Sequence, residues 1–219
     1  MEGKGNYAGN PKNIEVEGSQ KERDNVSTAW TEVCSRLNSM NPTISILVGT
    51  RVKKAKATQV RNKFGPRWFY LDNYSNHNNG RIWIMWDSNK VKVKMECSSA
   101  EFLHCGIYNM DGEFSRWCTT IYDFNTLKMS KTLWQKIENL QTSINEHWFL
   151  MGDFNNVLQT HDRIGGSMVQ EAEFRDLVKM MKRTELHDKD SIREHSTWLS
   201  NQVDGPIYSK IDKVIANLK

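Results

Sequence analysis

Apolar and polar positions alternate along the chain with two different periods, and each period predicts its own kind of element. Trp30, Leu37 and Met40 recur at helical spacing, and the Asn-Pro dipeptide that follows is expected to end that helix. Short apolar runs bounded by Gly, Asn and Asp predict strands. The predicted strands are residues 44–48, 68–71, 81–86, 91–95, 102–110, 114–122, 148–151, 197–198 and 207–215.

Two more apolar stripes at helical spacing predict helices in the C-terminal half. They consist of Leu133, Trp134, Ile137, Leu140 and Ile144, and of Phe174, Leu177, Val178 and Met181. Ser167 with Gln170 fits a capping box before the second helix. Because strands dominate and helices occur between them, the pattern predicts an α+β or α/β sandwich with mixed sheets inside and helices outside.

The first part of the chain has a different pattern. Residues 1–27 are polar and aperiodic, and Ile14 and Val16 are the large aliphatic residues that precede Val26. We therefore expect this segment to be disordered or poorly anchored, and residues 28–219 to form one domain.

Composition narrows the class of protein. No apolar run is long enough to cross a bilayer and no signal peptide is visible, so we expect an intracellular protein with no membrane partner. Cys34, Cys97, Cys105 and Cys118 show no paired spacing, which predicts buried thiols in a reducing compartment. The net charge of +4 permits a polyanionic partner without requiring one.

The strongest candidate for chemistry is the sequence Gly152-Asp153-Phe154-Asn155, at the end of an apolar run. Asp153 and Asn155 are two positions apart, so in an extended backbone both side chains leave from one face. A carboxylate beside a carboxamide can hold a hard cation, or a water and a phosphate oxygen. A plain turn is the alternative, because Gly, Asp and Asn are common turn residues.

A basic stretch lies at residues 51–63, where six of thirteen residues are basic and none is acidic. The basic residues are Arg51, Lys53, Lys54, Lys56, Arg61 and Lys63. Such a run is usually a solvated helix face; contact with a nucleic-acid backbone is the functional alternative.

Several motifs together resemble the endonuclease domain of plant LINE-type (non-LTR) retrotransposons, in the expected order and spacing. They are residues 80–86, 121–125, 151–155, 163–166, 173–174, 186–188, 197–201 and 207–213. That domain belongs to the endonuclease/exonuclease/phosphatase superfamily, which has the deoxyribonuclease-I-like fold. The resemblance implies a four-layer α/β/β/α sandwich of two mixed β-sheets flanked by helices, expected here to be incomplete at both ends.

The resemblance also implies divalent-metal-dependent hydrolysis of a phosphodiester, with Mg²⁺ or Mn²⁺ as the cofactor. Asp153 matches the aspartate that orients the attacking water, and Asn155 matches the residue that holds the phosphate. Tyr122 matches a tyrosine that hydrogen-bonds the phosphate, and Asp212 matches the aspartate that supports a site histidine. Without the resemblance, Tyr122 would be an aromatic residue of the sheet and Asp212 a surface residue.

Three departures from the family pattern predict an impaired site. Gly49-Thr50 stands where the family has Glu-Thr, so the main metal ligand is missing and the metal-binding residues remain unknown. The opening Trp-Asn strand has no good match, and the closing Ser-Asp-His strand is not reached. His161 and His187 lie near the site in sequence but are expected to be loop residues. Weak magnesium binding and nicking near background follow from these departures.

Two function hypotheses remain. The first is a DNA-nicking endonuclease of retroelement origin, expected in the nucleus, which binds DNA weakly without sequence preference and was once fused to a reverse transcriptase. The second is a catalytically inactive, decayed or domesticated nucleic-acid-binding remnant. A phosphatase of the same superfamily is a distant third.

Overall fold

The structure is a computed structural model and describes residues 29–77, 80–124, 126–189, 196–202 and 205–218. The predictions for residues 1–27, including the missing opening strand, lie outside the described residues. So does Asn125 of the 121–125 motif.

Four α-helices and twelve β-strands are present in the described part of the chain. The helices are α1 (residues 29–40), α2 (Lys54–Arg61), α3 (Leu127–Gln141) and α4 (Glu171–Thr184). The strands are β1 (Ile44–Val48), β2 (Trp68–Asp72), β3 (Ile82–Asp87), β4 (Lys92–Ser98), β5 (Phe102–Tyr108), β6 (Phe114–Tyr122), β7 (Trp148–Asp153), β8 (Arg163–Ile164), β9 (His187–Asp188), β10 (Trp198–Gln202), β11 (Gly205–Ser209) and β12 (Asp212–Ala216).

The largest sheet has six strands in the order β4-β5-β6-β7-β12-β9. It is mixed, because β6 and β7 run parallel while the other neighbours are antiparallel. The parallel pair is joined by α3, which is the crossover that a parallel connection requires. This arrangement brings the C-terminal ends of β6 and β7 to the same edge as the start of β12.

A second sheet has three antiparallel strands in the order β1-β3-β2. All six residues of β3 are buried, because this strand is covered on both faces. Ile82 and Ile84 pack between the two sheets, whereas Trp83 and Met85 pack towards α1 and α2. The alternation of one strand between two cores shows that this sheet lies inside the molecule.

Three apolar cores separate four layers. One core lies between α1, α2 and the three-stranded sheet, one between the two sheets, and one between the six-stranded sheet and α3 and α4. The layer order is therefore helix, sheet, sheet, helix. The α+β four-layer sandwich expected from the resemblance is confirmed, with the six-stranded sheet mixed and the smaller one antiparallel.

Some details of the sequence prediction were wrong. The single strand predicted over residues 207–215 is divided at residues 210–211 into two strands: β11 belongs to a third, small sheet with the order β10-β11-β8, and β12 belongs to the six-stranded sheet. The predicted Ser167–Gln170 capping box lies one turn too early: Gln170 is the N-cap residue, and the Glu173 carboxylate accepts its N–H at 2.9 Å. Local sequence fits both registers, and packing of the apolar face decides between them.

The burial of the cysteines agrees with the sequence prediction in part. Cys105 and Cys118 are buried thiols, as predicted, but Cys34 and Cys97 are only half-buried. Among the described helices, none is long and apolar enough to cross a membrane.

Candidate active site

Three of the predicted site residues lie side by side where β6, β7 and β12 meet. In the strand registers, Tyr122 is the partner of Asp153, and Asp153 is the partner of Asp212. Partners in neighbouring strands project from the same face of a sheet. The structure thus gathers a phenol and two carboxylates at one sheet edge, while their roles stay predictions.

The Gly-Asp-Phe-Asn sequence begins as a strand and ends as a turn. Gly152 and Asp153 belong to β7, and a Cβ at Gly152 would lie 2.0 Å from the Ile121 carbonyl oxygen, so only glycine fits there. Asn155 has a φ of 46°, a left-handed conformation, and its N–H donates to Asp153 Oδ1 at 3.0 Å. The strand-end interpretation and the turn interpretation are therefore each correct for part of this sequence: Asp153 is held by a strand, and Asn155 is held by a turn.

The two carboxylates of the site have raised pKa values. Burial, together with the nearby charge of Asp212, raises the pKa of Asp153 to about 6, against the opposing hydrogen bond from the Asn155 N–H. Desolvation by the surrounding protein also raises the pKa of Asp212, against a hydrogen bond with Thr197 and the charge of Lys213, although the residue is exposed. A carboxylate that titrates close to neutral pH is suited to accept a proton from water.

The side chain of Asn155 is anchored by the backbone of Asp123, the residue that follows β6. Its Nδ2 donates to the Asp123 carbonyl oxygen at 2.7 Å, which fixes the direction of the amide. A polar cavity of about 160 Å³ adjoins this amide and is open to solvent. The cavity is lined by Thr126, Ser130, Asn155, Asn156, Val157, Arg163 and Glu173.

Asp123 is a buried carboxylate that the sequence reasoning did not single out. Its Oδ2 accepts hydrogen bonds from the Ser130 hydroxyl and from Asn156 Nδ2, while its buried Oδ1 has no hydrogen-bond partner among the described residues. Burial raises its pKa to about 7, and the charges of Asp153 and Glu101 add to the shift. A sequence signal existed, since an aspartate directly follows the strand that ends in Tyr122.

A different set of residues faces the site from the three-stranded sheet. A Cβ on Gly49 would lie 3.2 Å from Tyr122 Cε2 and 3.8 Å from its hydroxyl oxygen, so Gly49 adjoins the phenol. The guanidinium carbon of Arg81 lies 5.1 Å from the centroid of the same ring. This side therefore presents a glycine and a cation, where the resemblance implies a metal-binding glutamate.

The basic stretch lies mainly on α2 and just before it. Arg51, Lys53, Lys54, Lys56 and Lys63 are exposed. Arg61 differs from them, because its guanidinium is 2.6 Å from Asp72 and stacks over Trp83. Contact of Arg61 with a phosphate would have to compete with that carboxylate, whereas the exposed residues are accessible to solvent.

The loop after β7 is tied to β12 by a buried ion pair that sequence reasoning also missed. Lys213 Nζ lies 3.3 Å from Asp162 Oδ2 and donates to the Lys210 carbonyl oxygen at 2.7 Å. The pair fixes the strand that carries Asp212. His161 follows β7 in a 3-10 turn, whereas His187 lies in β9 and not in a loop, contrary to the prediction.

The donor set for a divalent cation is small. Within the described ranges, no group of three or more His, Cys, Asp or Glu side chains comes together to hold a metal ion. Asp153 and Asp212 fit magnesium in donor type and in number, since a magnesium site commonly has one or two protein carboxylates plus the substrate phosphate. Gly49 contributes no side-chain oxygen.

The sequence matches no known family profile and no curated protein. Several solved structures are nevertheless similar in fold. The endonuclease domain of TRAS1, a telomere-specific non-LTR retrotransposon, aligns with a TM-score of 0.66 at 10% identity, over 87% of this chain and 80% of that one. Bacteroides thetaiotaomicron VPI-5482 mannosyl-6-phosphatase Bt3783 aligns at 0.61 and 11% identity, over 92% and 81%. D. rerio TDP2 complexed with a single-stranded DNA product aligns at 0.61 and 11% identity, over 88% and 78%.

These likenesses agree with the layer order and show the fold. The chain has the deoxyribonuclease-I-like fold of endonuclease/exonuclease/phosphatase proteins, and its structural neighbours include a non-LTR retrotransposon endonuclease domain. Because that fold is shared by nucleases and phosphatases, the reaction has to be argued from the site itself.

Proposed function

We propose that the chain is a retrotransposon-type endonuclease domain that hydrolyses DNA phosphodiesters slowly and with a divalent metal. One observation carries the proposal: Asp153, with a pKa raised to about 6, lies between Tyr122 and Asp212 in register at one sheet edge. A pure turn or a core packing role would not need two carboxylates as strand partners, because their negative charges repel each other.

Each side chain has a role that its geometry supports. Asp153 is ionised above about pH 6 and can orient and deprotonate an attacking water. Tyr122 can donate its phenolic proton to a phosphate oxygen, since no acceptor in the described part of the chain takes it. Asn155 has one amide N–H committed to the Asp123 carbonyl, which leaves the other free to donate to the phosphate.

A divalent cation, magnesium or manganese, would be held by Asp153 and Asp212. When bound, it would neutralise charge on the phosphate and stabilise the leaving alkoxide. We expect weak binding, because Gly49 leaves the site without the carboxylate that the family resemblance implies. Slow hydrolysis follows from the same loss, as removing one member of a cooperating set usually costs orders of magnitude in rate.

The proposed function includes an origin in a retroelement and action on nuclear DNA. The motif resemblance supports an origin in a plant LINE-type element, residues 28–219 as one nuclease domain, and a former connection to a reverse transcriptase. DNA as the substrate implies action in the nucleus. Binding through exposed lysine and arginine side chains should be weak and indifferent to sequence, because such contacts reach phosphates and not base edges.

A second candidate function is DNA binding without catalysis. It is favoured by Gly49 and the neighbouring Arg81, which place a cation and no carboxylate on one side of the site. Both candidates predict DNA binding, and they differ in whether any phosphodiester is cleaved.

Nicking of a supercoiled plasmid separates the two. We expect slow conversion to open circles with magnesium or manganese, loss of that conversion in Asp153→Ala, and no change in Asp111→Ala. Asp111 is an exposed carboxylate in the β5–β6 hairpin, at the opposite end of β6 from Tyr122. DNA binding with no nicking above the Asp153→Ala background would favour the second candidate, and nicking by Asp153→Ala itself would show that the site is elsewhere.

A further inference from the structure

Three arginine side chains stack on aromatic rings in the described part of the chain. Two of them also have a carboxylate partner: Arg61 lies 2.6 Å from Asp72, and Arg67 lies 3.9 Å from Asp87. The third, Arg81, has no ion-pair partner among the described residues. Its positive charge is therefore not neutralised by any carboxylate in the described part of the chain.

The position of Arg81 is fixed by aromatic contacts. Its guanidinium carbon lies 5.1 Å from the Tyr122 ring centroid and 5.2 Å from that of Phe124, and the side chain is half-buried. Two aromatic contacts at this distance restrict the rotation of the side chain and stabilise its charge. Stacking uses the faces of the guanidinium and leaves the N–H donors along its edges, and these donors have no hydrogen-bond partner among the described residues.

The strand register places this cation at the candidate active site. Ile82 is the partner of Val48 in the last pair of the β1–β3 register, and just beyond that pair the Thr50 N–H donates to the Arg81 carbonyl oxygen at 3.5 Å. Arg81 thus directly precedes β3, beside the end of β1, where Gly49 adjoins Tyr122. Because Gly49 and the Arg81 guanidinium both adjoin the Tyr122 ring, we expect a glutamate at position 49 to pair with Arg81.

The opposite side of the site is acidic. Asp153 and Asp212 face any phosphate with negative charge above their pKa values, which opposes binding. A planar guanidinium with free donors can bind two oxygens of one phosphate at once. Arg81 is the side chain next to Tyr122 that offers both the charge and the donors.

We propose that Arg81 is a phosphate-binding residue of this site, holding one DNA backbone phosphate over the Tyr122 ring and supplying the positive charge on the Gly49 side. The inference rests on the proposed function in taking a DNA phosphodiester as the ligand. It does not require hydrolysis, because a phosphate contact is made in the absence of metal as well.

The test is binding of a short fluorescein-labelled DNA duplex, measured by anisotropy in EDTA at several salt concentrations. The variants are Arg81→Gln, Arg81→Lys and the control Arg116→Gln. Arg116 is exposed on β6, six positions before Tyr122, and its loss changes the net charge equally. Plasmid nicking with magnesium and with manganese is measured on the same four proteins.

We expect Arg81→Gln to weaken binding about tenfold and to lower the slope of log affinity against log salt by about 0.9, the loss of one phosphate contact. Arg81→Lys should keep the salt slope and lose part of the affinity, since charge is retained without the planar fork. Arg116→Gln should behave like the unmodified chain.

The outcomes separate this inference from the proposed function. Binding and salt slope unchanged in Arg81→Gln would overturn the inference, even if thermal unfolding shows that stability is lost; nicking by the unmodified chain would then still support the proposed function. Weakened binding in Arg81→Gln with no nicking by any of the four proteins would support the inference and contradict hydrolysis. Absence of DNA binding by the unmodified chain at low salt would overturn the inference.

Discussion

The two sides of the candidate site differ in the sign of their charge. The ends of β6, β7 and β12 carry Tyr122 and two carboxylates with raised pKa values, whereas the ends of β1 and β3 carry Gly49 and the Arg81 guanidinium. The first side has the groups that activate water, and the second has a group that attracts phosphate. The difference implies that binding and hydrolysis depend on different sheets and can be lost separately.

The largest effect is expected on the acidic side. Asp153→Asn keeps the shape of the side chain and removes its charge, so nicking should fall about a hundredfold or more, to background. DNA affinity in EDTA should rise, because one negative charge no longer faces the phosphate. Quantitative plasmid nicking and duplex binding on the same protein check both effects.

A distant carboxylate provides the control for these two effects of Asp153→Asn. Asp111→Asn removes an equal charge from the exposed hairpin and should leave both measurements unchanged. A fall in DNA affinity for Asp153→Asn would contradict the division of the site into two sides.

Ionisation of the buried Asp123 carboxylate should lower the stability of the protein at high pH. Its folded-state pKa of about 7 is above the ordinary 3.8, so its contribution to stability is full below about pH 4 and is lost as pH rises through about 7. Asp123→Asn cannot ionise, and its amide oxygen can still accept from Ser130 and Asn156. We expect it to stabilise the protein by about 1–2 kcal/mol near pH 8 and much less near pH 5, by urea unfolding.

The pH dependence distinguishes this effect from a general change in packing. Asp111 is exposed and should show no such pH-dependent gain when it is replaced by Asn. Equal gains for Asp123→Asn at both pH values, or a loss at about pH 8, would contradict burial of a charge at this position.

The fold was largely predictable from the chain, because the layers follow from local patterns. Most apolar runs of the sequence became strands or helices close to their predicted bounds, and the family resemblance implied how the layers are arranged. The division of residues 207–215 was missed because an apolar run shows where a strand is, but not where it changes sheet.

The site was predictable only in part. Asp153 and Asn155 are two positions apart in sequence and could be recognised together, whereas Arg81 lies far from Tyr122 along the chain and meets it only through the packing of two sheets. Asp123 and the Lys213–Asp162 pair acquire their properties from burial, which a single sequence does not display. Tertiary context therefore explains what was missed.

Gly49 is the position at which the two sides can be made alike. Its φ is 64°, so Gly49→Ala and Gly49→Glu should each cost about 1 kcal/mol of unfolding free energy, with Tyr122 Cε2 crowding the new Cβ. The glutamate should also pair with Arg81 and weaken DNA binding several-fold, which the alanine should not do. Chemical unfolding measures the change in unfolding free energy, and duplex binding in EDTA measures the change in DNA affinity.

A double variant extends this experiment to the metal. The family resemblance predicts that Gly49→Glu recovers metal affinity more than activity. Because the Arg81 guanidinium competes with a cation for the new carboxylate, we expect magnesium affinity to increase more in G49E/R81Q than in G49E, as measured by calorimetry. Equal affinity in the two proteins would show that Arg81 does not reach that carboxylate.

The smallest effect is expected from single residues of the basic stretch, which extends the cationic side outward from Gly49. Lys54 begins α2 and is exposed, so Lys54→Gln should lower DNA affinity a few-fold, reduce the salt slope by about 0.9 and leave stability unchanged. Lys131→Gln is the matched control, since Lys131 is exposed on α3, in the opposite outer layer. If both substitutions weaken binding equally, the effect is one of net charge, and the basic stretch is only a solvated helix face.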